Sequence, residues 1–281
     1  MSASGAELAR MLARAEAIAR DGGRVLLEYQ QRLGSLRTEF KGRRELVTAA
    51  DREAERVIVS QLLAEFPAHA VLAEEGVLTP KGQPHQASEW QWILDPLDGT
   101  TNFVHGIPFY AVALALAWRG EVVLGVVHAP MLQQTYTAAK GQGAHKNGQP
   151  IQVTATAELR DALIATGFAY NRNEPGRDDN VGRLARVLPL CRDLRRLGSA
   201  ELDLCQTAAG HYDGYWELYL APYDVAAGAL IVREAGGVVT DLAGGDTWLF
   251  GGEVVASNGL LHAALLRAVG NPGPARGGGL G

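Results

Sequence analysis

Layered α/β (α+β) architecture, mixed sheets with helices packed between them, is what this 281-residue sequence predicts. Three observations carry the expectation. Two stretches near the N-terminus place apolar residues at helical spacing. From Ala70 onward, short β-rich runs bounded by turn residues take over. Beyond Gln152, strands and helices mix without the regular alternation of a doubly wound sheet. The expected organisation is one unit over 1–270, with two closely packed lobes parting near 150–160. A Gly/Pro-rich tail over 271–281, "NPGPARGGGLG", is expected to be disordered.

The first helix spans Ala6 to about Leu33, with Leu8, Met11, Leu12, Ala15, Ile18, Ala19, Val25, Leu26 and Tyr29 forming one stripe. A second is expected from near Ala50 to Phe66, with Asp51 in its first turn, where a carboxylate suits the helix dipole. Between them "FKGRRELVTAAD" reads as a loop with an extended piece at Leu46–Thr48. "AVLAEEG" and "WQWILDP" are strands that run into acids. "YAVALALAWRGEVVLGVVHAP" is a hairpin around Arg119-Gly120-Glu121, and "QTYTAAKGQGAHKNGQPIQV" gives further strands with Asn147-Gly148 as a tight turn. The glycines of "KGQGAHKNG" lack the Lys-Ser/Thr and following helix of a phosphate loop. After Gln152 come a strand (162–168), two helices ("NVGRLARVLPLCRDL", "ELDLCQTAAG"), a helix over 225–235, a strand over 238–242, and a last strand and helix.

Composition excludes several classes. Hydrophobic residues make up 47%, charged residues 20%, and the formal charge is −5. That balance, with only the small basic clusters Arg43-Arg44, Arg192 and Arg195-Arg196, argues against direct nucleic-acid binding. Cys191 and Cys205 sit in helical-looking segments without a Cys-x-x-Cys, so neither a disulfide framework nor a zinc site is expected. The N-terminus carries charges throughout and lacks the apolar core of a signal peptide. The apolar run Tyr110–Trp118 is too short to cross a bilayer. A cytoplasmic protein with no membrane association is the expectation.

The chemistry lies in "WILDPLDGTTNF". Asp-Pro and Asp-Gly are turn chemistry, and acids at strand ends are common as caps. Yet Glu74-Glu75, Asp95, Asp98, Asp224 and Asp51 all stand at element ends. A helix beginning just after Gly99 would aim free N–H groups at the same turn. An anion held beside carboxylates makes sense when divalent cations lie between them, and oxygen donors in number suit Mg²⁺. Two such ions roughly 3.5–4 Å apart can activate water for in-line displacement at phosphorus. A cysteine nucleophile with an arginine six residues on is absent, and Asp95 and Asp98 lack the Asp-x-Asp spacing of a phosphoaspartyl enzyme.

"DPLDGTTNF", with "AEEG" upstream and "YDVAAGALIVREAGG" downstream, resembles the inositol monophosphatase family of Mg²⁺-dependent, lithium-sensitive phosphatases, bacterial type, from Lys41 to about Ala256. The resemblance implies a layered α-β-α-β-α sandwich of the inositol monophosphatase/fructose bisphosphatase type, usually a homodimer. It implies that Glu74, Asp95 and the Leu97 carbonyl hold a first metal, and that Asp95, Asp98 and Asp224 hold a second. A third, weaker ion lies near Glu74 with Asp51 in its outer shell. Thr100, hydrogen-bonded to Glu74 or Asp51, helps deprotonate water, and the Gly99 and Thr100 amides hold phosphate. Lys41, in a mobile loop, approaches the site. Glu217, Ala200 and Asp98 contact the substrate's hydroxyls.

Inositol 1-phosphate is the default small-molecule ester. Histidinol phosphate, fructose 1,6-bisphosphate and 3′-phosphoadenosine 5′-phosphate remain open, as does a non-enzymatic role beside RNA polymerase. Tyr223 stands where the family usually has tryptophan. Glu201 replaces a common small residue, either as a solvent-facing helix residue or with a part in substrate choice. "FAYNRNEPGRDDN" is expected to be a surface loop near the site or dimer face. His105 is expected to be structural and His128 shows no partner. Trp90, Trp92 and Trp216 are expected core.

Overall fold

A computed structural model describes residues 4–35, 40–170 and 174–270, with the backbone alone described at 34, 35 and 40–46. The expected tail over 271–281 lies outside the described residues. Helices α1 (Gly5–Ser35) and α2 (Phe40–Glu65) lead into a seven-stranded sheet: β1 (Ala70–Ala73), β2 (Trp90–Asp98), β3 (Ala111–Trp118), β4 (Glu121–Ala129), β5 (Gln134–Ala139), β6 (Ala144–Lys146) and β7 (Gln149–Ile151). Neighbours in sequence are neighbours in the sheet, and every pair is antiparallel except β1 with β2. The short helix α3 (Thr100–His105) interrupts it after β2. The second sheet takes β8 (Leu163–Thr166), β9 (Asp193–Arg195), β10 (Gly214–Leu218), β11 (Val238–Thr240) and β12 (Glu253–Ser257) in the order β11-β12-β10-β8-β9. Helices α4 (Val181–Val187), α5 (Ala200–Ala208), α6 (Ala226–Glu234), α7 (Trp248–Gly251) and α8 (His262–Val269) complete the chain.

Strand alternation builds the layers. On β3, Val112, Leu114 and Leu116 face α1 and α2, joining Ile18, Leu26, Ile58 and Leu62 in one core. Ala111, Ala113, Ala115 and Ala117 face the other way, into a second core with Leu202, Leu204 and Ile231 of α5 and α6. Period-two alternation assigns large side chains to one face and methyl groups to the other. The small face lets α5 and α6 lie close to the sheet. At Gly125 of β4 an added Cβ would sit 2.7 Å from the Ala227 carbonyl oxygen of α6. On the far side of the second sheet Ile164, Trp216 and Val255 pack with Leu261, Leu265 and Val187, so α4 and α8 form the outer layer. The α-β-α-β-α sandwich is as expected.

Several local expectations need correction. Helix α2 begins at Phe40, ten residues before the expected start near Ala50, so the "FKGRREL" loop and its extended piece are absent. Val47, Ala50, Ala54, Ile58 and Leu62 are all buried, one stripe that continues upstream of Asp51 and holds the helix to the core. Asp51 therefore lies inside α2 rather than in its first turn. Lys41 is on helical backbone instead of a loop, and its side chain lies outside the described residues. The helix expected through Cys191 ends earlier, with a 3₁₀ turn at Leu188–Leu190 that Pro189 favours, and the chain then forms β9. Cys191 is consequently half-buried, while Cys205 is buried. His128 does have a partner, the Thr135 hydroxyl at 2.9 Å. His105 is exposed, Trp92 and Trp216 are buried, and Trp90 is half-buried.

Candidate functional site

The acids meet where β1 and β2 end. The two strands are parallel with Ala73 beside Leu94, so Glu74 leaves β1 next to Asp95. Asp95 and Asp98 are three apart and would face opposite sides of a regular strand. A bulge corrects this: Asp95 pairs with Ala113 and Asp98 with Ala111, three steps on β2 against two on β3. Partners two apart share a face, so the extra residue turns both carboxylates the same way. The Leu97 amide donates to Asp95 Oδ1 at 2.8 Å and closes the turn. Pro96 sits past the last β1 pairing, where its missing N–H breaks no ladder bond.

Gly99 then caps α3 with φ 96° and ψ 35°, a left-handed conformation that glycine adopts without cost. A Cβ there would lie 3.0 Å from the Phe109 carbonyl oxygen. Asn102 of α3 donates to the carbonyls of Phe109 and Leu197, both at 2.7 Å, tying this turn to the segment ahead of α5. That segment returns to Asp98: its carboxylate accepts from the Ser199 hydroxyl at 2.5 Å and from the amides of Glu201 at 2.8 Å and Ala200 at 3.2 Å. Asp224, ending a 3₁₀ turn just before α6, accepts from the Ala221 amide at 2.6 Å.

The electrostatics are strained. Asp95 is 2% exposed, and burial followed by the charges of Glu74, Asp98, Asp224 and Asp51 pushes its carboxyl far above the usual range. Asp224 is raised strongly too, by burial first and then by Asp98, Glu74 and Glu217, against the relief of the Ala221 amide. Burial lifts Glu74 to about 6 despite its hydrogen bond with Asp95. Burial lifts Asp98 to about 6 against the donors at Ser199 and α5. Asp51 is raised by burial and then by Glu74, Glu75 and Glu55, and its Oδ1 has no partner among the described residues. Burying an unpaired carboxylate costs on the order of several kcal/mol. Among the described residues none of Glu74, Asp95, Asp98 and Asp224 is ion-paired with a Lys or Arg.

These acids line a cleft of about 440 Å³, with Leu97, Gly99, Thr100, Ala200 and Glu217 also on its walls. Hard oxygen donors, concentrated negative charge and one orphaned carboxylate oxygen fit a divalent cation by chemistry. Among the described residues, no three acids are gathered closely enough to grip one ion as they stand. Asp98 and Asp224 are instead turned to backbone and hydroxyl donors, and Glu74 to Asp95.

The structure brings Glu74, Asp95, Leu97, Asp98, Gly99, Thr100, Ala200, Glu217 and Asp224 together, with Asp51 behind Glu74. It differs at Thr100, whose hydroxyl donates to the Leu97 carbonyl at 3.1 Å rather than bonding Glu74 or Asp51. The reason is local, because the first residue of α3 can reach back three positions to that carbonyl. Glu217, raised by burial to about 7, accepts from the Tyr215 hydroxyl. Its carboxylate fills the space a Cβ would need at Gly167. Phe168, Ala169, Tyr170 and Arg177 also line the cleft, which puts the expected surface loop beside the site; residues 171–173 are outside the described residues.

One buried acid escaped the sequence reading, and another was only half placed. Glu55 is fully buried and accepts from the amides of Glu75 at 2.7 Å and Val77 at 2.6 Å, hanging the Glu74 turn from α2. Its signal was an acid one turn after Asp51, on the helix face that carries Ala54 and Ile58. Glu201 is fully buried, so the solvent-facing reading fails.

The fold and the cleft together describe the class that the motifs resembled, and comparison with known proteins is decisive. The chain belongs to the inositol monophosphatase family, whose model matches residues 7–272. It is 41% identical over 251 residues to the Nus factor SuhB of Vibrio cholerae, covering 89% of this chain and 92% of that one. It is equally identical, 41% over 256 residues, to an inositol-1-monophosphatase of Mesorhizobium japonicum, covering 90% and 94%. Among solved structures, the inositol monophosphatase of Anabaena superposes with a TM-score of 0.83 at 37% identity, covering 93% of this chain and 96% of that one. No helix among the described residues is long and apolar enough to cross a membrane.

Proposed function

We propose that the chain is a Mg²⁺-dependent phosphoric monoester hydrolase whose preferred substrate is a polyol phosphate, with inositol 1-phosphate first. The observation that carries this is the set of buried acids turned by the β2 bulge toward the same point as the start of α3. Glu74, Asp95 and the Leu97 carbonyl would hold one ion and Asp95, Asp98 and Asp224 a second; a third would lie near Glu74, backed by Asp51. Bound Mg²⁺ would supply Lewis acidity and a water acidic enough to attack phosphorus.

The protein's own part is positioning and proton management. The amides of Gly99 and Thr100 hold the phosphate oxygens at the open end of α3. The Thr100 hydroxyl, with its proton committed to the Leu97 carbonyl, can only accept from water in this arrangement. A relay from Thr100 to Glu74 or Asp51 requires it to leave that carbonyl. Glu217 accepts a substrate hydroxyl, and Ala200 borders the same wall; Lys41 remains a proposed approach residue. A homodimer in the cytoplasm, inhibited by millimolar lithium and bound to neither membrane nor nucleic acid, completes the proposal.

Phosphate release with Mg²⁺ from inositol 1-phosphate, histidinol phosphate, fructose 1,6-bisphosphate and 3′-phosphoadenosine 5′-phosphate tests it. The expected result is the highest kcat/KM on inositol 1-phosphate, and negligible release from all four by folded, metal-loaded protein would overturn the enzyme reading. A second reading has the Nus factor name of several relatives behind it: a regulatory partner of RNA polymerase. Capture of polymerase that persists in Asp95→Asn would support that role.

A further inference from the structure

Glu201 is the second residue of α5, forms no ion pair among the described residues, and is fully buried. Its two ends do different things. Its backbone amide donates to Asp98 Oδ2 at 2.8 Å. Its side-chain carboxylate crosses to α6, where Oε1 accepts from the Ala227 amide at 3.1 Å and Oε2 from the Gly228 amide at 2.5 Å. Those amides belong to the first turn of the helix that starts two residues after Asp224, and such N–H groups have no partner within their own helix. The fit is tight: a Cβ at Gly228 would lie 2.5 Å from Glu201 Oε2. One side chain therefore joins the start of α5, which holds Asp98, to the start of α6, which follows Asp224.

We infer that Glu201 is a positioning residue that sets the separation of Asp98 and Asp224 and thereby tunes divalent-cation binding at the site they share. The inference rests on the metal assignment proposed above. Glu201 touches no substrate: it lies behind Ala200, and both carboxylate oxygens are occupied by α6. Its role in substrate choice, left open by the sequence, is replaced by one in the geometry of the metal-facing wall. Asp98 is also held by the Ser199 hydroxyl and the Ala200 amide, so loss of the strut frees α6 and Asp224 more than Asp98.

The test is direct titration of the folded protein with Mg²⁺ by calorimetry, for native protein, Glu201→Gln and Glu201→Ala, with circular dichroism to confirm folding. Glutamine can accept one of the two amides but presents N–H groups to the other, and alanine accepts neither. The expected result is a roughly 10–100-fold loss of affinity in Glu201→Ala, the range for residues that orient metal ligands, with Glu201→Gln between it and native. KM for the phosphate ester at saturating Mg²⁺ should change less than about threefold, because the substrate-facing wall is untouched. Native affinity in both folded variants would overturn the inference. So would failure of both to fold, because Glu201 would then hold the fold together rather than set a distance. A native protein that binds Mg²⁺ but releases no phosphate would sink the hydrolase reading alone, leaving the calorimetric comparison intact.

Discussion

Two hollows set side by side differ in charge as well as in size. The larger, about 800 Å³, lies among Arg119, Glu121, Lys140, Arg233, Asp246 and Phe250. Its charges are matched: Lys140 pairs with Glu121, Arg233 with Asp246 at 2.6 Å, and Arg119 with Glu89 at 2.6 Å. The smaller, about 440 Å³, gathers buried acids that repel one another. Volume alone would choose the first. Unbalanced charge chooses the second, where Glu74, Asp95, Asp98, Glu217 and Asp224 share the walls with only Arg177 and Arg196 and the excess is relieved by protons or by a bound cation.

Asp95→Asn should have the largest effect on the acidic cleft. Activity should fall by more than about 100-fold, past the range typical of outer-shell changes. The metal-free variant should melt at or above the native temperature, since a desolvated acid among other acids is replaced by a neutral amide. A folded variant with near-native turnover would contradict the site.

Cation binding comes next. Mg²⁺ at 100 times its Kd should stabilise the native protein by about 2.7 kcal/mol, a rise of roughly 5–10 °C in Tm. A chelator should reverse the shift, and Asp95→Asn should show little of it. An unshifted melting curve at saturating Mg²⁺ would remove the metal from the cleft.

Proton linkage sharpens the contrast. Glu74 and Asp98 are raised to about 6 and Glu217 to about 7, above the carboxylate values of the unfolded chain. The folded metal-free protein therefore binds more protons than the unfolded chain between about pH 4 and 7. Stability from these groups is present below the unfolded values and is lost as pH rises through 6 to 7. Mg²⁺ affinity should move oppositely, rising over the same interval as protons leave the acids. Melting temperatures from pH 4.5 to 8, with and without Mg²⁺, should nearly coincide at the acid end and separate as pH rises; a constant separation would contradict the linkage.

The paired hollow should respond least. Lys140→Ala removes one exposed ion pair, so it should cost under about 1 kcal/mol and leave phosphate release unchanged. A large loss of activity there would mean that the larger groove takes part in the function.

Spacing in the chain made the acids legible. Asp95, Asp98 and Gly99 are adjacent in sequence, their turn chemistry is local, and the order of Glu74, the aspartate turn and Asp224 is distinctive. What periodicity could not show was burial imposed by a distant partner. Glu201 looks like a polar helix position until α6 is laid across it. Glu55 looks like an ordinary helical acid until the Glu74 turn hangs from it. The start of α2 lies upstream of where periodicity puts it because Val47 and Ala50 extend an apolar stripe only when the core they meet is known. The Thr100 hydroxyl turned on a choice between nearby acceptors that sequence does not rank.

Gly125 has no polar side chain and stands on a strand remote in sequence from every acid of the cleft, yet the first turn of α6 rests where its side chain would be. A single methyl group added there would lift the helix and carry Asp224 away from its neighbours. A map of inactivating substitutions would thus show a hot position in the middle of β4, among residues with no chemistry of their own. In heredity as in engineering, this active site can be lost through an atom that the protein does not possess.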